Sequence, residues 1–164
     1  MRLTPSGSWP PITMSDPTPA QQLGSFLAKF DPRVAASARA ALAQLRKKLP
    51  GAIELVYDNY NALAIGFGPS EKASEAIFSI AVFPRWVSLF LLQGAKLPDP
   101  DKVLKGSGTR ARHIVLSDRK ILEQPAVKKL MALALKSAKK PLDPKQRRRL
   151  IIKSVSAKQR PRRP

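Results

Sequence analysis

Apolar residues recur along this chain with two different periods, and the change from one to the other divides it. Between positions 21 and 49 the spacing is helical. Leu23, Phe26, Leu27 and Phe30 predict a short amphipathic helix ending at Asp31. Asp31-Pro32 supplies an N-cap and a proline at the first position of a second helix, whose core face is Val34, Ala38, Ala41, Leu42, Leu45 and Leu49. Arg46, Lys47 and Lys48 crowd its last turn, where cations meet the negative end of the helix dipole, and Pro50-Gly51 stops it.

The period then becomes two. Ile53, Leu55 and Tyr57 alternate with Glu54 and Asp58, and Asp58-Asn59-Tyr60-Asn61 carries turn chemistry. Leu63, Ile65 and Phe67 alternate with Ala62, Ala64 and Gly66, so the second strand has a bulky face and a small face that lets a helix or a ligand approach. Residues 77–83 and 86–92 are strongly apolar strands around Pro84-Arg85, a loop short enough to make them antiparallel neighbours. Arg112 to Leu116 is a fifth strand after a long loop. Gln124-Pro125 then opens a closing helix with Val127, Leu130, Met131, Ala134 and Ala138 facing the core. The expected fold is α+β: an antiparallel sheet of about five strands with helices packed on one face. Connections among the first four strands are too short for βαβ crossovers, which excludes a doubly wound nucleotide fold.

Three segments follow. Residues 1–20 contain five prolines and almost no periodicity, so they are expected to be disordered. Met14 is an equally good initiator, which would make the first 13 residues a matter of start-site choice. Residues 21–140 form the folded domain, and residues 141–164 a basic tail. In that tail Asp143-Pro144 starts a short basic helix over 144–153, with Leu150, Ile151 and Ile152 available to dock it, and the chain is flexible from Ser154 onward.

Composition narrows the chemistry. The 164 residues include no Cys and one His, which excludes disulfides, thiolate metal sites, a cysteine nucleophile and any centre needing two histidines from one chain. No apolar run approaches the ~18 residues of a membrane span, and the start lacks the apolar region of a signal peptide, so a cytoplasmic location is expected. The formal charge is +19, from 30 Lys and Arg against 11 Asp and Glu. Residues 1–135 carry a net +8 and residues 136–164 a net +11, which suits the tail equally to contact with an acidic polymer or membrane surface and to a solvated terminus that keeps a basic protein in solution.

Candidate chemistry lies in three places. The loop Lys105, Gly106, Ser107, Gly108, Thr109, Arg110, Ala111, Arg112 combines glycines that free backbone N–H groups with cations able to cradle an anion. It lacks the spacing of a nucleotide-binding loop. His113 stands beside it without an assignable Ser or Asp partner, so it reads as a structural histidine. The carboxylates Glu54, Asp58, Glu71, Glu75, Asp99 and Asp101 include pairs suited to a hard cation, although Asp99 and Asp101 equally suit capping the turn that follows. Arg147, Arg148, Arg149, Arg160, Arg162 and Arg163 of the tail offer phosphate contacts without aromatics beside them, which suits weak, salt-sensitive, sequence-indifferent binding. No catalytic constellation stands out.

The segments LPGAIELVY (Leu49–Tyr57) and WVSLFLLQGAKLPDPDKVLKGSGTRARHIVL (Trp86–Leu116) carry a resemblance. Within them Gly94, Leu97, Asp99, Leu104, Gly106, Gly108, Arg112 and Ile114 follow a G…L.D…L.G.G…R.I.L signature. From Leu49 to about Leu135 the chain resembles the YdhG-like family, small bacterial domains mostly of unknown function. The resemblance implies a compact α+β domain with a frataxin-like fold, and a frataxin-like iron chaperone is described among the family's members. Frataxin-type chaperones rely on an acidic ridge, whereas the long helix here carries Arg33, Arg39, Arg46, Lys47 and Lys48 with no acid.

The expected function is therefore a non-enzymatic binding domain. Its site would be Lys105, Gly106, Ser107, Gly108, Arg110 and Arg112 with Asp99 and Tyr57, recognising a small anionic ligand or an acidic partner without a cofactor. The alternatives are iron delivery and nonspecific nucleic-acid association through the tail.

Overall fold

The computed structural model describes residues 16–164. Most of the Pro-rich opening segment, including the alternative start at Met14, lies outside the described residues.

A proline opens each helix: α1 (Pro19–Ala28), α2 (Pro32–Lys48) and α3 (Pro125–Ser137). Proline's fixed φ suits the first helical position, where its missing N–H has no partner to lose. Asp31 caps α2 by accepting from the Arg33 N–H at 2.9 Å. Thr18 and Gln21 cap α1 reciprocally, each side chain bonded to the other's backbone. That capping box corrects the expected boundary, because Thr18-Pro19-Ala20 belongs to a helix start and not to a disordered segment.

The strands are β1 (Ile53–Asp58), β2 (Leu63–Gly68), β3 (Phe78–Val82), β4 (Val87–Leu91), β5 (Arg112–Val115) and β6 (Leu150–Val155). They form one sheet in the order β5-β4-β3-β2-β1-β6. The first four pair antiparallel as their short connections require, β5 joins β4 antiparallel after the long loop, and β6 lies parallel to β1, which makes the sheet mixed. This is an α+β fold with three helices and six strands, one strand more than expected.

The expected helix over 144–153 does not form. Asp143 accepts from the Lys145 N–H at 2.9 Å and makes a single turn, after which Leu150, Ile151 and Ile152 extend along the open edge of β1. β-branched side chains favour that extended surface, and the edge offers a ladder of backbone partners that an isolated ten-residue helix lacks. Gly51, with φ of +80°, makes the linker's return possible: a Cβ there would fall 2.0 Å from the Asp143 carbonyl oxygen.

All three helices cover one face of the sheet. Leu27 and Phe30, Leu42 and Leu45 of α2, and Val127 and Leu130 of α3 close over Ile65, Phe67, Phe78, Ile80 and Leu89, all buried. Burying one such side chain contributes about 1.5–3 kcal/mol against the entropy of ordering it. The buried Ala35, Ala38 and Ala41 bring the α2 backbone close to the sheet.

Register produces an inversion in β1. Its Val56 pairs with the core residue Ile65, so Glu54 and Asp58 share the helix-covered face and Ile53, Leu55 and Tyr57 take the other. Both acids are buried, at 2% and 1% exposure. Arg46 of α2 answers Glu54 with two hydrogen bonds of 2.9 and 2.8 Å, and that bonding holds the guanidinium pKa above its ordinary value. Arg162 answers Asp58 at 2.9 Å.

Arg162 lies in the segment expected to be flexible, and the structure corrects that expectation. Residues 156–163 strap the β1–β2 turn to the α1–α2 junction. The Ser156 N–H donates to the Asp58 carbonyl, the Arg160 N–H to the Tyr60 carbonyl, and the Arg163 Nε to the Lys29 carbonyl. The Arg162 guanidinium sits 5.5 Å from the centroid of the buried Phe30 ring.

Removing Arg162 strands a buried carboxylate. Arg162→Ala is expected to lower the unfolding free energy in urea titration by about 3–5 kcal/mol, and Asp58→Ala in the same chain to recover part of that loss.

Candidate anion-binding cleft

One end of the sheet collects cations from three distant stretches of sequence. The β2–β3 loop, the β4–β5 connection and the C-terminal end of α3 converge there around a cleft of about 700 Å³. Lys96 comes from the 3-10 turn after β4, Arg110 from the glycine-rich loop, and Lys139 and Lys140 follow α3. Ser74, Thr109 and Ser137 add hydroxyls, while Ile77, Ala134 and Ala138 supply an apolar lining.

Local chemistry explains the placement. The Ala95 N–H donates to the Arg110 carbonyl at 2.8 Å, which docks the glycine-rich loop on the turn that carries Lys96. Lys136, Lys139 and Lys140 stand at the end of α3, where its unpaired carbonyls favour positive charge. Lys96, Arg110 and Lys139 make no salt bridge among the described residues. Lys140 lies 3.7 Å from the Glu75 carboxylate. Glu75 is the one acid of the lining, and the Ser70 hydroxyl that donates to it, with Lys140 and Lys72 nearby, holds its carboxyl below the ordinary carboxylate range. It is therefore ionised at neutral pH and opposes an anion beside it. The net chemistry is a cationic rim with an apolar interior, suited to an anion that carries an organic body.

The sequence-predicted residues divide. Arg110 lines the cleft. Lys105, Gly106, Ser107 and Gly108 are exposed on the same loop without lining it. Lys105 pairs with His113 through two backbone hydrogen bonds of 2.9 Å, and Gly106 takes φ of +116°, which L side chains rarely adopt. Arg112 turns back on the loop, donating to the Gly108 and Ala111 carbonyls, so its guanidinium shapes the loop from within. Asp99 accepts from the Val103 and Leu104 N–H groups at 2.9 and 2.8 Å and is engaged in capping its turn.

Tyr57 stands on β1, separated from β5 by three strands, about 19 Å at the usual inter-strand spacing. Its hydroxyl is buried without a partner, and burial pushes its pKa up. The structure therefore does not bring Tyr57 to the loop. His113 packs against Phe90 with ring centroids 5.2 Å apart.

The six tail arginines do not act as one group either. Arg162 is buried against Asp58, Arg163 bonds carbonyls at the end of α1, Arg149 lies 3.5 Å from Glu71, and Arg148 lies 3.9 Å from Glu54. Arg147 and Arg160 make no salt bridge among the described residues. The carboxylates are similarly dispersed. Among the described residues no group of three His, Asp or Glu is placed to hold a metal ion. No described helix is long and apolar enough to cross a membrane.

Sequence reasoning missed Lys96, Lys139 and Lys140. The one signal available was the cluster Lys136, Lys139 and Lys140 at the end of an amphipathic helix, which reads equally well as a solvated terminus. A smaller cavity of about 260 Å³ between α2 and residues 116–122 is lined largely by small and apolar side chains, including Ala36, Ala40 and Leu122. Compared with protein-family models, curated proteins and solved structures, the chain matches none.

Because Glu75 opposes an anion and holds Lys140, Glu75→Gln is expected to tighten binding of inorganic pyrophosphate about threefold by calorimetry at neutral pH, roughly the effect of relieving a like charge near the surface.

Proposed function

We propose that this protein is a non-enzymatic binding domain of the YdhG-like type that takes a small organic anion, a phosphate monoester or a free carboxylate with an apolar body, in the cleft beside Arg110. The observation that carries the reading is the meeting of Lys96, Arg110 and Lys139, none of them ion-paired among the described residues, around a concave surface with an apolar interior. Charged donors that converge on one cleft form the strong, short hydrogen bonds by which carboxylates and phosphates are held. The family resemblance, carried from Leu49 to about Leu135, implies helices on an antiparallel sheet, and the sheet here is antiparallel except for β6.

These contacts favour neither alternative in the form the sequence suggested. Asp99 is engaged by backbone N–H groups, which weighs against iron delivery, and four of the six tail arginines have partners within the fold, which weighs against the tail as a phosphate-binding arm.

Thermal unfolding with pyrophosphate, nucleoside monophosphates and medium-chain carboxylates tests the proposal. A ligand present at a hundred times its dissociation constant adds about 2.7 kcal/mol, or roughly 5–10 °C for a chain of this size. Arg110→Ala and Lys139→Ala should each weaken binding about tenfold or more, the worth of one charge-assisted hydrogen bond. Variants that respond to every compound as the parent does would refute the cleft.

A further inference from the structure

The sheet face turned away from the helices carries a different chemistry. Register places Tyr57, Ala64, Ala81, Ser88 and Val115 in one row across it, from β1 to β5. The small members of that row form a floor. The same alternation puts Phe83, Trp86, Phe90 and His113 on this face around the floor. Phe83 and Trp86 stack at 4.8 Å with their planes 22° apart, and Phe90 tilts on His113 at 5.2 Å. Trp86 is 45% exposed, and Tyr60 in the neighbouring turn is 49% exposed. Trp86 and Phe90 are four residues apart along extended chain, about 13–14 Å.

Cations lie on the segments that border this face. The turns 59–62 and 83–86 and the segment 156–164 all lie at the Trp86 end of the sheet, and none contains an acidic residue. They contribute Arg85, between Phe83 and Trp86, and Lys158 and Arg160, the latter bonded through its backbone to Tyr60. Lys105 pairs with His113 at the β5 edge. Asp118, the acid that follows β5, lines the cavity against α2 on the helix side. Aromatics and cations that are far apart in sequence are thus neighbours in the fold.

We propose that this face binds single-stranded nucleic acid, with bases stacking on the Phe83–Trp86 and Phe90–His113 pairs and phosphates meeting Arg85, Lys105, Lys158 and Arg160. Half-exposed rings on a pleated floor accept the flat face of any unpaired base, and the bordering cations follow the backbone without reading sequence. A duplex hides its base faces within its own stack, so this surface discriminates against it. The cleft opens at the end of the sheet away from Trp86, with Lys105 sharing its loop with Arg110, so Trp86→Ala and Arg110→Ala distinguish failure of one proposal from failure of the other.

Fluorescence anisotropy of the full chain with labelled fifteen-nucleotide oligothymidine, oligouridine and a duplex of equal length provides the test. At 50 mM salt the single strands are expected to bind more tightly than the duplex. Trp86→Ala should weaken single-strand binding about tenfold while duplex binding stays as in the parent, with circular-dichroism melting reporting separately on the lost Phe83 stack. Arg85→Ala should lower the slope of log affinity against log salt by ~0.7, the loss of one phosphate contact. The proposal is overturned if no oligonucleotide binds, if duplex binds as tightly as single strand, or if Trp86→Ala binds single strands with the parent's affinity. The last two results would indicate attraction by net charge alone.

Discussion

Two carboxylates turned into the interior by β1 set the terms for the rest of the molecule. Glu54 and Asp58 lie on the helix-covered face because Val56 between them packs on Ile65, and a strand cannot turn one residue inward without turning its second neighbours the same way. A buried carboxylate without a partner is strongly destabilising, so each end of β1 requires a cation delivered from elsewhere. Arg46 arrives on α2 and fixes that helix against the sheet. Arg162 arrives on the last residues of the chain, which must run beside β1 as β6 and then return to the β1–β2 turn. Asp58 Oδ2 and Arg162 Nε stay unpartnered, so the second pair is incompletely compensated and owes its place to the strap around it.

That requirement changes the meaning of the basic excess. Part of it is internal: Arg46, Arg112 and Arg162 bind protein oxygens, and Arg163 bonds the last carbonyls of α1. Part of the remainder lies at the two ends of the sheet. At one end Lys96, Arg110 and Lys139 surround a concave, partly apolar space, which suits a small anion. At the other, Arg85, Lys158 and Arg160 accompany open aromatic surface, which suits a polyanion with flat bases. Both arrangements follow from antiparallel pairing, which sends alternate turns to opposite ends of the sheet.

Among the candidate residues, Arg110 was legible because glycines beside a cation mark a loop whose backbone and charge are both accessible. Arg112, two residues on, was not distinguishable from it by type. The structure separates them because one guanidinium folds back on the Gly108 and Ala111 carbonyls while the other faces the cleft. Tyr57 and Asp99 were plausible partners by chemistry, yet one stands three strands away from β5 and the other caps its own turn. Trp86 and Arg85 are adjacent in sequence, but only the sheet order brings their turn to the same end as the turn at Tyr60, to which the strap at Arg160 is bonded.

The sequence by itself determined α2 and α3 with their proline starts and the antiparallel succession of the first four strands. Those features rest on local causes: side chains three or four residues apart, caps, and loops too short to permit any other neighbour. The inward turn of Glu54 and Asp58, the sixth strand and the lining of the cleft belong to the tertiary structure alone. Their energies depend on burial and on partners as far apart as Asp58 and Arg162, 104 residues along the chain. An alternating pattern marks two faces of a strand without marking which one is covered, and a run of arginines carries no sign of which among them will meet a buried acid.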